Sequence, residues 1–277
     1  MAPTGDAGGG GEVMQVDALP RYDVEAQNLS RSSENKIHDD DVARRFGFSG
    51  ALVPGVEVYA YGCHLPVEAW GREWLERGTI ECRFAKPVYD GRIARVRAEK
   101  DGDWLNLGVE SDGILCATAT AGLGRQSAPA LEAYPLRPLP KQRPPADEVS
   151  LAPGTLLGTP ARDMSEEDAE WYLSGVRESE PLYRRERIVH PGRILRLCNN
   201  ALMDNVVLGP WIHVGSKVQH LSVAQVGEIV SVRARIADNY EKKGHRFVDL
   251  DVLVIANGVR PVAHVLHTAI YRLRAPN

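Results

Sequence analysis

The chain has 277 residues, 43% hydrophobic, 25% charged and 6% aromatic, a globular balance long enough for one large domain or two of about 130 residues. Its 33 Lys and Arg against 37 Asp and Glu leave a net charge of −4, so it has no global pull toward nucleic acid or anionic lipid, and neither is expected as a partner. No apolar run approaches the ~18 residues that a membrane helix needs.

Met1 to Arg21 is Gly-rich, lacks an apolar h-region and reads as a disordered tail over residues 1–21 rather than a signal peptide. Pro54-Gly55 then opens a helix over Val56 to Trp70, with Val56, Tyr59, Ala60, Cys63 and Val67 at helical spacing and Pro66 expected to end or kink it. Strands follow at Thr79 to Phe84, Ile93 to Glu99, Leu105 to Glu110 and Ile114 to Leu123. Between Gln126 and Pro153 seven prolines remove the donors that a sheet or helix interior needs, so residues 126–153 read as an extended linker. Beyond it, Ser165 and Asp168 form a capping signature for a helix over Glu166 to Leu173 that ends at Gly175. Pro191-Gly192 opens a second apolar-striped helix over Arg193 to Val206. Four more strands follow at Lys217 to Val223, Ile229 to Ala237, Phe247 to Ile255 and Val262 to Leu273. Asp112-Gly113 and Asn257-Gly258 separate the last two strands of each set, as hairpin turns do.

The two sides repeat. Pro54-Gly55 recurs as Pro191-Gly192, Trp74 as Trp211 and Gly78 as Gly215 at one offset of 137 residues, and Val96-Arg97-Ala98 recurs as Val232-Arg233-Ala234 one residue short of it. Ordered matches of this kind point to an internal duplication, with units over residues 22–125 and 154–277. Each would be a central helix wrapped by an antiparallel sheet, an α+β layout. The paired tryptophans read as packing residues.

Before the first helix stands Ser33-Glu34-Asn35-Lys36-Ile37-His38, followed by Gly47-Phe48 and Leu52-Val53-Pro54-Gly55. With the duplication, this segment resembles the MaoC-like, (R)-specific enoyl-CoA hydratase family, whose motif is Asp-x-Asn-Pro-x-His, then Gly-Phe, then a His-Gly or Pro-Gly at the start of the hot helix. The resemblance implies a double-hotdog fold and hydratase or dehydratase chemistry on an acyl thioester borne by coenzyme A or an acyl carrier protein. Asn35, His38, Gly47, Phe48 and Gly55 match. The family Asp falls on Ser33 and the family Pro on Lys36. In the family, Asp and His activate water while an N–H at the helix start polarises the thioester carbonyl. The second unit carries a degenerate copy, with Glu178 at the Asp position, Pro181 retained and Tyr183 where the His would be, so it is expected to be the structural partner.

The candidate site residues are therefore His38, Gly55, Asn35, Ser33 and Glu34. His38 has the side chain suited to giving and taking a proton near neutral pH. Gly55 has an independent warrant, because the unpaired N–H groups and positive dipole of a helix start stabilise a thioester oxygen that gains charge. Asn35 could bind a substrate carbonyl or hold the loop over the helix. Glu34, Asp39 or Asp40 are the carboxylates that a shifted register could bring in, since Ser33 cannot serve as one. That substitution keeps two alternatives open, a hotdog thioesterase and a non-catalytic acyl-thioester-binding protein.

Cys63, Cys82, Cys116 and Cys198 are scattered without a CxxC pair and read as reduced thiols of a cytoplasmic protein. His190, His213, His220, His245, His264 and His267 lack metal-ligand spacing. No G-x-G-x-x-G, P-loop or G-x-S-x-G occurs, so no metal, no nucleotide cofactor and no serine hydrolase chemistry is expected. Because one chain supplies both units, a monomer would be complete and a homodimer would add a further contact.

Overall fold

A computed structural model of the chain describes residues 21–124 and 127–274. The proposed tail, apart from Arg21, lies outside the described residues. One antiparallel sheet of ten strands runs through the molecule. The first half supplies β1 (Tyr22–Glu25), α1 (Asp40–Arg45), α2 (Gly55–Arg77), β2 (Gly78–Phe84), β3 (Ile93–Asp101), β4 (Trp104–Ser111) and β5 (Ile114–Leu123). The second half supplies β6 (Ala161–Asp163), α3 (Glu166–Gly175), α4 (Leu182–Glu186), α5 (Pro191–Met203), β7 (Ile212–His220), β8 (Ile229–Lys242), β9 (His245–Ala256) and β10 (Arg260–Arg272). The order across the sheet is β1-β3-β4-β5-β2-β7-β10-β9-β8-β6. Read outward from the β2–β7 joint, both halves have the same strand order, and each half has its long helix directly before the strand at that joint.

The inner face follows the two-residue period of a half-buried sheet. Ala94, Val96 and Ala98 of β3, Leu105, Leu107 and Val109 of β4, and Val230, Val232, Ala234 and Ile236 of β8 all point inward and are buried. They close over α2 and α5, which pack against each other. A Cβ on Gly192 would stand 2.6 Å from that of Ala60, so glycine is what lets the two helices approach. Strand β9 is instead buried on both faces, because the proline-rich segment lies across its outer side. There Tyr134 packs on Leu253 and Ile255, and its hydroxyl donates to Asp251 Oδ1 at 2.7 Å.

Both hairpin dipeptides hold positive φ at both positions, 51° and 75° at Asp112 and Gly113, 51° and 77° at Asn257 and Gly258, the backbone that tight hairpins require. Ser165 caps α3 through the Asp168 N–H at 3.1 Å. Pro66 neither ends nor breaks α2. The single hydrogen bond it removes is outweighed by burial of nearly every residue from Val56 to Val67, and the non-helical backbone comes at Gly71, with φ 58° and ψ −142°. All four cysteines are free and buried. Among the described residues, no helix is long and apolar enough to cross a membrane, and no group of three or more His, Cys, Asp or Glu could hold a metal ion.

Candidate functional site

The segment before α2 folds as a 3-10 turn over Lys36–His38 capped by Asn35, then α1 capped by Asp39, then a turn through Gly47 and an irregular run into Pro54. His38 is 9% exposed. Its Nδ1 lies 2.8 Å from the Leu52 carbonyl. A carbonyl only accepts, so Nδ1 carries the proton and donates. Burial above all pushes the imidazole down to about 4, so His38 is neutral at pH 7 and its Nε2 lone pair accepts from Asn35 Nδ2 at 3.3 Å.

Asn35 is committed to the backbone of the other half. Its Nδ2 donates to the Trp211 carbonyl at 2.9 Å, and its Oδ1 accepts from the Trp211 N–H at 3.2 Å. The side chain thus clamps the His38 loop onto the residue that precedes β7. Asn35→Ala would leave both backbone groups buried without partners and is expected to cost about 2 kcal/mol. Urea denaturation measures this, and a loss within experimental error would contradict the clamp.

The structure does not bring the candidate carboxylates to this place. Glu34 is exposed and pairs with Arg143 at 3.0 Å. Asp39 accepts from the N–H groups of Asp41 and Val42, and Asp40 accepts from the Ala51 N–H at 2.8 Å. The Ser33 hydroxyl turns back to the Asn35 carbonyl at 3.4 Å.

Gly55 lines a cavity of about 260 Å³ at the junction of the halves. Its walls are mostly apolar, with Leu52, Val53, Val58 and Phe84 from the first half and Ile212 and Ile270 from the second. No Asp or Glu lines it among the described residues. His38 does not line it either, and stands behind Leu52, joined to that wall by its hydrogen bond.

The first amides of α2 have no side-chain cap. The residue before the helix is Pro54, which has no side-chain acceptor. Among the described residues the Gly55 and Val56 N–H groups have no partner, whereas those of Glu57 and Val58 donate to the Pro54 carbonyl. The matching helix of the second half is closed. His190 precedes Pro191 and its Nδ1 accepts from the Gly192 N–H at 2.9 Å, and the Tyr172 hydroxyl occupies the place of a Gly192 Cβ. Tyr183 is buried against His190 with ring centroids 4.6 Å apart. Glu178 accepts from His64 at 2.7 Å and lies 3.4 Å from His190. Burial would raise this carboxyl, but its two histidine partners hold it well below the usual range.

No protein-family model matches the sequence, and no curated protein matches it significantly. Solved structures do match over nearly the whole chain. A conserved Mycobacterium tuberculosis protein described as having a double-hotdog fold aligns with 91% of this chain and 94% of its own, at TM-score 0.61 and 16% identity. The chain has the double-hotdog fold. A MaoC-domain protein from Chloroflexus aurantiacus, named a putative dehydratase, shares this double hotdog at TM-score 0.61 and 10% identity, over 92% of this chain and 94% of its own. A Thermobifida fusca protein named a putative thioesterase II does so at 0.54 and 16%, over 92% and 95%.

One residue of this double hotdog's cavity escaped the sequence motif. His213 of β7 lines the wall beside Gly55 and is buried. A Cβ on Gly55 would come within 3.0 Å of its Nδ1. The only sequence signal was a histidine two residues after the repeated Trp211, in the half that carries no His motif.

Proposed function

We propose that this protein binds an acyl thioester in the cavity at the start of α2 and adds or removes water at its α,β-position, as a MaoC-like hydratase or dehydratase. One observation carries the reading: the Gly55 amide, without a partner among the described residues, belongs to the wall of an apolar cavity in the half that keeps the His38 motif, while the matching amide in the other half is capped. Such donors stabilise an oxygen that gains negative charge. In this reading the thioester carbonyl sits on the Gly55 amide, and His38, neutral and separated from the cavity by Leu52, carries the proton once that wall residue moves aside. Asn35 positions the loop, and Ser33 and Glu34 take no part. Exposed Lys86 on the cavity rim, without an ion-pair partner among the described residues, suits the phosphate end of coenzyme A or of a phosphopantetheine-bearing carrier.

A wall without a carboxylate favours a second reading, thiol release. Crotonyl-CoA and butyryl-CoA separate the two. Loss of the enoyl absorbance without free thiol supports hydration, thiol released from both esters supports a thioesterase, and binding without turnover leaves a thioester-binding protein. If hydration is seen, His38→Ala is expected to lower turnover about a hundredfold. An unchanged rate would remove His38 from the mechanism.

A further inference from the structure

Four polar side chains in the second half form a continuous chain that ends at the cavity. Asn199 Oδ1 of α5 lies 3.1 Å from His267 Nε2, His267 Nδ1 lies 2.9 Å from Ser216 Oγ, and Ser216 Oγ lies 2.8 Å from His213 Nε2. The two imidazoles stack with centroids 4.1 Å apart. His213, Ser216 and His267 are 5%, 4% and 0% exposed. Residues three apart on a strand should face opposite ways. Here Thr268 pairs with Gly215 and Ala269 with His213, which leaves Val214 unpaired as a bulge. The extra residue turns His213 and Ser216 to the same inner face, the kind of redirection that bulges produce.

The chain has one consistent polarity. Asn199 Oδ1 only accepts, so His267 Nε2 carries a proton. Burial pushes His267 down to about 3, so it is neutral and its Nδ1 is an acceptor. The Ser216 hydroxyl must then donate to His267, and its oxygen accepts from His213 Nε2–H, which also lies 3.1 Å from the Gly215 carbonyl. His213 is neutral too, held well below its usual range by burial and by His267. Its single proton is on Nε2. What remains is a buried Nδ1 lone pair with no partner in the protein, packed against Gly55, on a residue that lines the cavity.

We propose that His213, from the half without the catalytic motif, presents this lone pair to the ligand and accepts a hydrogen bond from a hydroxyl or water held next to the thioester carbonyl. This rests on the reading of the cavity as a thioester site, and adds to it the residue that distinguishes 3-hydroxyacyl thioesters from saturated ones, His213. Gly55 supplies a donor and His213 an acceptor within one cavity, so a carbonyl and a nearby hydroxyl find opposite partners. Ser216, His267 and Asn199 are positioning residues, since they fix which nitrogen is free.

The test uses the full chain labelled with 15N-histidine, with (R)-3-hydroxybutyryl-CoA and butyryl-CoA as probes. In the free protein His213 Nδ1 is expected at an unprotonated shift, and the hydroxyacyl ester, unlike the saturated one, should move it. His213→Phe, which keeps a ring on His267, should weaken the hydroxyacyl ester roughly three- to tenfold more than butyryl-CoA. If that variant does not fold, Ser216→Ala, which leaves only the Gly215 carbonyl to hold the Nε2 proton of His213, should loosen the ring and lower the same preference. A protonated Nδ1 in the free chain, or equal effects on both esters, overturns the proposal. If neither ester binds, the thioester reading fails, and 1-pentanol then decides the role of His213. A pentanol-dependent shift of Nδ1 supports the acceptor, and no response overturns it.

Discussion

Acidification from about pH 6.5 to about pH 4 is expected to strip this protein of most of its stability before its paired carboxylates are protonated. His38, His213, His220 and His267 are buried, and burial is the leading cause that lowers each of them from 6.5, to about 4 for His38 and His220 and to about 3 for His267. A depressed native value means that the unfolded chain takes up the proton first. The stabilisation is whole above pH 6.5, drains as the pH falls, and is gone below the native values. Each unit of difference is about 1.4 kcal/mol, so His38 alone stands for roughly 3 kcal/mol at the acid end, against a total of about 5–15 kcal/mol for a typical domain. Glu57 works in the opposite sense, since burial outweighs the Arg196 charge and raises its carboxyl, but it is one group against four. Asp251, held down to about 2 by His264, Tyr134 and Arg235 against its burial, keeps its stabilisation above the usual carboxylate value and loses it only as the pH falls toward about 2. Urea midpoints measured from about pH 7 to about pH 4.5 should fall steeply, and His220→Leu, next to Trp74, should flatten the slope. A midpoint constant over that range would mean that these imidazoles are not held neutral.

The parts of the fold that were legible in the sequence are those with a local physical cause. Pro54-Gly55 and Pro191-Gly192 mark helix starts because proline fixes φ and glycine admits close approach. Asp112-Gly113 and Asn257-Gly258 mark hairpins because they tolerate positive φ. Edge strands β1 and β6 were missed, since four and three residues are too few to show a period. The start of β7 was placed late, at Lys217 instead of Ile212, because the Val214 bulge interrupts alternation where His213 and Ser216 turn inward. At the site, the motif led to Gly55 and His38. That Pro54 leaves one helix start open while His190 closes the other depends on which residue precedes the first helical turn, a difference of a single position between two similar Pro-Gly runs. No local pattern links Asn35 to Trp211 or Asn199 to His213, because those partners meet only once the halves pack.

Arg196→Ala is expected to cost about 3–5 kcal/mol, the largest loss from any single side chain near the site. Glu57 lies in the first turn of α2 and is fully buried. Its Oε1 accepts from Arg196 Nη1 of α5 at 2.5 Å, and its Oε2 has no partner. The same guanidinium donates through Nη2 to the Leu29 carbonyl at 3.1 Å and Ser30 Oγ at 3.0 Å, and lies 5.7 Å from the Trp171 ring centroid. One side chain thus ties both long helices to the segment leading into the His38 loop. Without it, Glu57 must stay charged in an apolar interior or take up a proton, and either course is expensive. Glu57→Gln should be milder, since its amide oxygen still accepts from Arg196. Combined with Arg196→Ala it should lose less than the two single losses added together, because it removes the stranded charge. Urea unfolding of the four proteins gives this coupling, and additive losses would show that the pair does not act as a unit. Gly55 stands two residues before Glu57, so Arg196→Ala should also loosen the start of α2. Thioester binding should then weaken even at temperatures where the variant is still folded, and a fully retained affinity would place the helix start under the control of its own packing instead.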